Sequence, residues 1–158
     1  MAWTAPRTWV AGEEVTASLL NTHVRDNLKA IGDAWTSYTP TYTNMGSPTT
    51  SDAKYVAAGK WITGAVRFTL NAAPTGLMAV SLPVTAATSV GTGRHVVIGQ
   101  IVGLRTGVAY EPGFVTLAST TTVNFGNTSS SMAQWNATVP QSWASTDVFR
   151  FTFTYEAA

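Results

Sequence analysis

The residues best able to do chemistry in this chain are its carboxylates and histidines, and their spacing predicts no site. The eight acidic residues are scattered, at Glu13, Glu14, Asp26, Asp33, Asp52, Glu111, Asp147 and Glu156. No interval between them sets a general acid opposite a base or nucleophile. His23 and His95 lie in separate segments, and cysteine is absent. The sequence therefore predicts no catalytic residue, no metal ligand and no cofactor. A glycoside hydrolase stays an alternative, because its two carboxylates need only meet in space.

Aromatic side chains beside predicted turns are the remaining candidates for a ligand site. Tyr110, Trp135 and Trp143 stand at such positions, and exposed rings there would stack on the faces of sugars. The alternative is that these rings fill the core of a β-domain, as large apolar side chains usually do. The first interpretation favours a free carbohydrate-binding module.

Two further tryptophans, Trp3 and Trp9, precede every predicted core element, with Pro6 between them. This pattern predicts an extended arm. Its large apolar rings must dock on a neighbouring surface, either another copy of the chain or a larger assembly.

One segment has a helical period. Apolar residues recur there at spacings of three and four, in Leu20, Val24, Leu28 and Ile31. Thr16 or Ser18 can cap this helix, and Gly32 ends it. A helix of about four turns is marginal alone in water, so its apolar stripe must be buried against another surface, of this chain or of another molecule.

Counted in heptads, the same helix has a seam of Leu20, Val24, Asn27 and Ile31. A buried Asn in such a seam can determine register and oligomeric state. Alternatively, the stripe packs on the chain's own sheet with Asn27 at its edge, and two heptads are too few to decide.

From Trp35 onward the apolar pattern has a period of two, which is typical of strands. The segments 61–70 and 148–155 alternate cleanly, and shorter strands are predicted over 77–82, 95–102, 113–118, 121–125 and 132–139. Gly91-Thr92-Gly93 is interpreted as a hairpin turn, and Glu111-Pro112-Gly113 as another turn. Short strands with such turns predict a mainly β protein. We expect an antiparallel β-sandwich or jelly-roll-like domain over residues 35–158, after an arm and one short α-helix in residues 1–34.

Charge excludes several partners. Charged residues make up only 11% of the 158 residues, the net charge is +1, and no basic run occurs. Neither nucleic acid nor an anionic membrane is therefore an expected partner. No apolar stretch approaches the roughly 20 residues of a membrane helix, so no membrane insertion is expected. No basic segment followed by an apolar one opens the chain, so no signal peptide is predicted.

The two ends of the sequence resemble one group of proteins. The run WTAPRTWVAGE at residues 3–13, continued by TASLLNTHVRDNL at 16–28, resembles the N-terminal segment of bacteriophage tail and fibre proteins, particularly in phages of actinobacteria. WTSYTPTYT at 35–43, followed by Gly59-Lys60-Trp61, is similar to the opening of the β-domain in that group. The ending, from Trp143 to Ala158, resembles its closing strand, whereas residues 75–140 carry no specific match.

This resemblance implies a non-enzymatic virion structural protein that assembles as a homotrimer. Residues 1–34 would anchor it to other virion proteins, and the β-domain would project from the particle. Asn27 would lie on the three-fold axis as a register residue. A tail-associated protein used in host attachment is favoured, with a host surface glycan as a further partner. A head fibre or decoration protein on the capsid is the alternative, and either would be made in the host cytoplasm.

Overall fold

An arm and a helix precede the strands. In the computed structural model, which describes residues 4–5, 7–32, 35–93, 96–106, 109–128 and 132–158, the helix consists of three continuous parts. They are α1 (Ala17–Leu20), one π-helical turn (Asn21–Arg25) and α2 (Asp26–Gly32). Thr16 is the cap, because its Oγ1 accepts a hydrogen bond from the Leu19 amide at 3.3 Å. The predicted helix is confirmed, and residues 33–34, which follow Gly32, lie outside the described residues.

Nine strands follow within the described residues. They are β1 (Thr36–Ser37), β2 (Tyr42–Thr43), β3 (Thr49–Ala58), β4 (Trp61–Thr69), β5 (Ala79–Ser81), β6 (Val97–Arg105), β7 (Ala109–Leu117), β8 (Thr122–Asn127) and β9 (Val148–Glu156). Every pair is antiparallel, and the strands form one sheet in the order β1-β3-β4-β9-β6-β7-β8-β5-β2. The prediction of a mainly β, antiparallel protein is confirmed.

This sheet curls so that its two halves face each other. Tyr42, on the edge strand β2, packs its ring 5.0 Å from that of Phe68 on β4. Its hydroxyl lies 2.7 Å from Thr50 Oγ1 on β3. Both contacts join one edge of the sheet to strands near the other edge. The two layers around the core are therefore halves of one hydrogen-bonded sheet.

The core lies inside the curl and is rich in aromatic rings. The alternate residues Phe149, Phe151 and Phe153 of β9 are buried. Phe151 packs 5.2 Å from Phe125 of β8, across the interior. Burying large rings is the main favourable term in such a small domain. The period-two pattern that predicted these strands is thus the pattern of the buried face.

The prediction of a strand over residues 132–139 is wrong. Only Gln134 makes a bridge, to Gly126, and the described part of this segment otherwise runs as loop. The Trp135 amide donates a hydrogen bond to the Phe125 carbonyl, and the Trp135 carbonyl accepts one from the Met78 amide. The alternation that suggested a strand instead reflects one large side chain inserted into the core from a loop.

Both predicted turns are also corrected. Pro112 lies inside β7, opposite Val102 of β6. On its other side β8 pairing starts only at Gly113, so no ladder partner needs the N–H that proline lacks. The segment at residues 91–93 follows a 3-10 turn (Thr88–Val90) and joins β5 to β6, which are not neighbours in the sheet. It is therefore not a hairpin turn.

Candidate functional site

The arm folds back onto the helix of the same chain, with Asn27 as its attachment point. Asn27 Oδ1 accepts a hydrogen bond from the Thr4 amide at 3.0 Å. Its Nδ2 donates to the Thr4 carbonyl at 2.9 Å and to the His23 carbonyl at 3.2 Å. Asn27 is 6% exposed. Both sequence interpretations missed this role, since neither the heptad seam nor an edge position predicts an amide that holds the arm.

Trp9 lies on the helix as well. Its ring makes an edge-on contact with His23, with the centroids 6.5 Å apart. The guanidinium of Arg7 lies 5.0 Å above the same ring and forms an ion pair with Glu13. A turn closed by the Glu13 amide and the Val10 carbonyl leads from this contact toward the helix. The helix covers one side of the Trp9 ring, and the residue remains 42% exposed, so its docking on a neighbouring molecule stays a prediction.

The arm and helix still leave a set of large apolar side chains exposed. We call it the N-terminal apolar surface, and it consists of Trp9, Val10, Val15, Leu20, Val24 and Leu28. Over the described stretch 17–25 no side chain is buried. A short helix of this kind is unstable without a partner. Trp3 and the side chain of Ile31, which belong to the predicted anchor, lie outside the described residues.

The π-helical turn changes the phase of the helix. A π turn closes hydrogen bonds from residue i to i+5, and here the Asp26 amide binds the Asn21 carbonyl. The π turn therefore changes the angular position, around the helix axis, of every residue that follows it, compared with an uninterrupted heptad repeat. Leu20 and Val24 are exposed, whereas Asn27 is buried and bound to Thr4 of the arm. The predicted seam that joined all three is corrected to an apolar stripe without Asn27.

Two of the three predicted glycan-stacking rings are core residues. Trp135 and Trp143 are buried, with centroids 5.3 Å apart. Trp143 also packs 4.7 Å from Phe149, and its Nε1 donates to the Val139 carbonyl at 3.4 Å. Neither ring can reach a sugar, so the prediction is wrong for both. The nearby turn residues, on which this prediction depended, do not distinguish an exposed ring from one inserted into the core.

Tyr110 is the exception, because its ring is 72% exposed. It lies on the outward face of the sheet, beside Leu104 of β6, which is in turn opposite Val148 of β9. These three side chains line a groove of about 350 Å³ together with Arg67, Val102 and Arg150. A smaller groove of about 190 Å³ shares Val102 and Arg150 and continues past Gln100 and Thr152. We call the two together the outer groove.

Sequence reasoning missed the two arginines of this groove. Arg67 of β4 is directly opposite Arg150 of β9, and both side chains are exposed. The alternation of each strand already indicated that each arginine faces outward. Their adjacency depends on the pairing of two strands far apart in sequence, which no local pattern carries.

The described part of the chain contains no cluster of three or more metal-ligating side chains. The buried carboxylate of Asp147 accepts hydrogen bonds from the amides of Thr106 and Ala144, which is a structural role. His95 lies outside the described residues. Within them, no helix has the length and apolar character needed to cross a membrane.

In comparisons with known proteins, no protein-family model matches the chain, and no match is found among curated proteins or solved structures.

Proposed function

We propose that the chain is a non-enzymatic structural protein of a bacteriophage particle, a short trimeric surface appendage anchored by its N-terminus. In this proposal it is tail-associated, as a minor tail or fibre protein used in host attachment. Its β-domain is a sandwich of the jelly-roll kind. The N-terminal apolar surface is the observation that supports the proposal most directly, together with the resemblance of the N-terminal sequence to phage tail and fibre proteins.

The described part of the arm and helix carries six exposed large apolar side chains. Trp9, Val10, Val15, Leu20, Val24 and Leu28 are all within the arm and helix, and Leu28 is 65% exposed. Several exposed large apolar side chains in one short segment are typical of protein–protein contacts. Self-association around a symmetry axis would bury the stripe of Leu20 and Val24. The side of the helix that carries Asn27 is already occupied by the arm.

The low charge of the chain agrees with an assembled state. Charged residues are 11% of the sequence, against about 25% in ordinary soluble proteins. A free monomer relies on surface charge for solubility. A chain whose surface is partly covered by other copies and by the particle needs less of it.

The oligomer is tested by sedimentation. We expect a mass of three times 16.7 kDa for the full chain, and a double variant, Leu20→Glu with Val24→Glu, should sediment as a monomer. Thr22→Glu is the matched control, since Thr22 lies on the same helix and is exposed but polar; it should stay trimeric. A wild-type monomer at every concentration would contradict the trimer, and equal behaviour of both variants would contradict this surface as its interface.

Location on the particle needs a separate experiment. Gold-labelled antibody against the chain should mark the tail of particles that carry it. Label on the head would support the alternative, a head fibre or decoration protein. Particles without label would contradict the virion role itself.

A further inference from the structure

The outer groove joins charge and an aromatic ring on one exposed face. Arg67 and Arg150 are directly opposite in the β4–β9 pair, and Val102 is opposite Arg150 in the β9–β6 pair. In the next outward-facing row, Val148, Leu104 and Tyr110 follow one another across β9, β6 and β7. The two arginines therefore border an apolar strip that ends in the exposed ring of Tyr110.

Neither arginine of this pair is held by an ion pair with a described carboxylate. Among the described residues neither guanidinium forms an ion pair, and the acidic residue nearest in register, Asp52 opposite Arg67, binds Lys54 at 3.0 Å. Like charges directly opposite each other in a sheet are unfavourable. An anion between them would turn this repulsion into attraction, and guanidinium groups are suited to bind carboxylate or phosphate through paired N–H donors.

The rest of the groove restricts the kind of anion. A volume of about 350 Å³ is large enough for one or two sugar rings. Val102, Leu104 and Val148 offer an apolar floor, and Tyr110 offers a ring face. A simple inorganic anion would use none of these.

We propose that the outer groove binds an anionic saccharide, with Arg67 and Arg150 on its carboxylate or phosphate and Tyr110 stacked on a sugar ring. The role of the outer groove in attachment to a host rests on the proposed function. Binding of the saccharide does not, because all the residues of the groove belong to one chain. Binding to purified protein and assembly by sedimentation are separate measurements, so failure of one is distinguishable from failure of the other.

The test measures binding of the full chain to four polymers. They are polygalacturonate, its methyl ester, phosphorylated mannan and polyglutamate. We expect one acidic polysaccharide to bind, and the choice between the first and third identifies carboxylate or phosphate as the ligand group. The neutral methyl ester and the sugar-free polyglutamate should bind much more weakly.

Variants then locate the site. Arg67→Gln with Arg150→Gln should weaken binding by roughly tenfold or more, since it removes charge-assisted hydrogen bonds. Tyr110→Ala should weaken it by a smaller factor. Lys60→Gln is the control for a positive charge lost outside the groove, because Lys60 is exposed and directly precedes β4, at the end away from Arg67; it should bind as wild type does.

Three results would overturn the proposal. The first is that neither acidic polysaccharide binds. The second is that Lys60→Gln loses as much affinity as the double arginine variant, which would indicate unspecific charge attraction. The third is that polyglutamate binds as tightly as the saccharides and that Tyr110→Ala leaves the affinity unchanged. The last result would make an acidic protein segment the occupant. Circular dichroism of each variant verifies that the fold is retained.

Discussion

Gly103 illustrates how tightly single residues are packed in the core. A Cβ at this position would lie 2.5 Å from Trp143 Cη2 and 3.2 Å from Trp135 Cζ3. We expect Gly103→Ala to lower the free energy of unfolding by about 1–3 kcal/mol, the usual cost of overpacking. Urea denaturation followed by tryptophan fluorescence measures it. Gln100→Ala, at an exposed position of the same strand, should stay within about 0.5 kcal/mol of wild type. Equal effects would mean that the two rings move aside freely.

Tyr155 makes the stability sensitive to alkaline pH. Burial raises its pKa to about 12, and its hydroxyl donates to the Val84 carbonyl at 2.6 Å. An unfolded tyrosine ionises near pH 10. The contribution of Tyr155 is therefore complete below about pH 10 and is lost as the pH rises toward 12. Burial raises the pKa of Tyr38 and of Tyr42 too, so we expect a marked loss of stability over this range.

Tyr155→Phe tests this prediction. The variant should be less stable than wild type at pH 7 by about 1 kcal/mol, since it loses the bond to Val84. Its stability should then fall less steeply above pH 10. Denaturation at several pH values up to about 12 gives both quantities, with Tyr110→Phe, an exposed position, as the control that follows wild type. An unchanged slope in Tyr155→Phe would refute the assignment.

At the scale of elements, the arm depends on the helix through Asn27. Asn27→Leu removes all three hydrogen bonds that this side chain makes with Thr4 and His23. We expect the arm to open, so that trypsin cleaves after Arg7 roughly tenfold faster. Asn21→Leu is the matched control: the same change on the same helix, at a side chain that forms no hydrogen bond to the described residues.

Sedimentation of the same variant separates two roles for Asn27. If Asn27 only holds the arm, Asn27→Leu changes cleavage and leaves the oligomer as it is. A changed oligomer with an unchanged cleavage rate would instead favour the register role that the resemblance implies. Slow cleavage in both variants would contradict the tether.

The strands show which elements a sequence can specify. The segments 61–70 and 148–155 were predicted almost to the residue as β4 and β9, because one face of each is buried and the other is not. No strand was predicted for β3, in which apolar and polar residues do not alternate cleanly. Its place in the sheet comes from pairing with β4, which the local sequence does not record.

At the scale of the whole molecule, the hydrophobic core excludes the arm and helix. Among the described residues, the core cluster runs from Met45 to Ala157, and the partly buried residues packed on it begin at Tyr38. We expect residues 35–158 to fold without residues 1–34, with a melting temperature within a few degrees of the full chain. The truncated protein should sediment as a monomer and should not enter particles.

Calorimetry and sedimentation of the truncated protein check this expectation. An unfolded product would show that the two predicted domains are one folding unit. A product that remains trimeric would move the interface from the N-terminal apolar surface to the β-domain.

The sequence alone determined the mainly β class, the N-terminal helix, the outward positions of Arg67 and Arg150, and the lack of any spacing typical of catalysis. Each follows from local periodicity or composition, because burying one face imposes a period on neighbouring residues. Only the tertiary structure decided that Trp135 and Trp143 are buried, that Asn27 holds the arm, and that the two arginines meet in one groove. These three features depend on which distant segments pack together. The residues that stabilise such packing are far apart in the sequence, so no local periodicity predicts it.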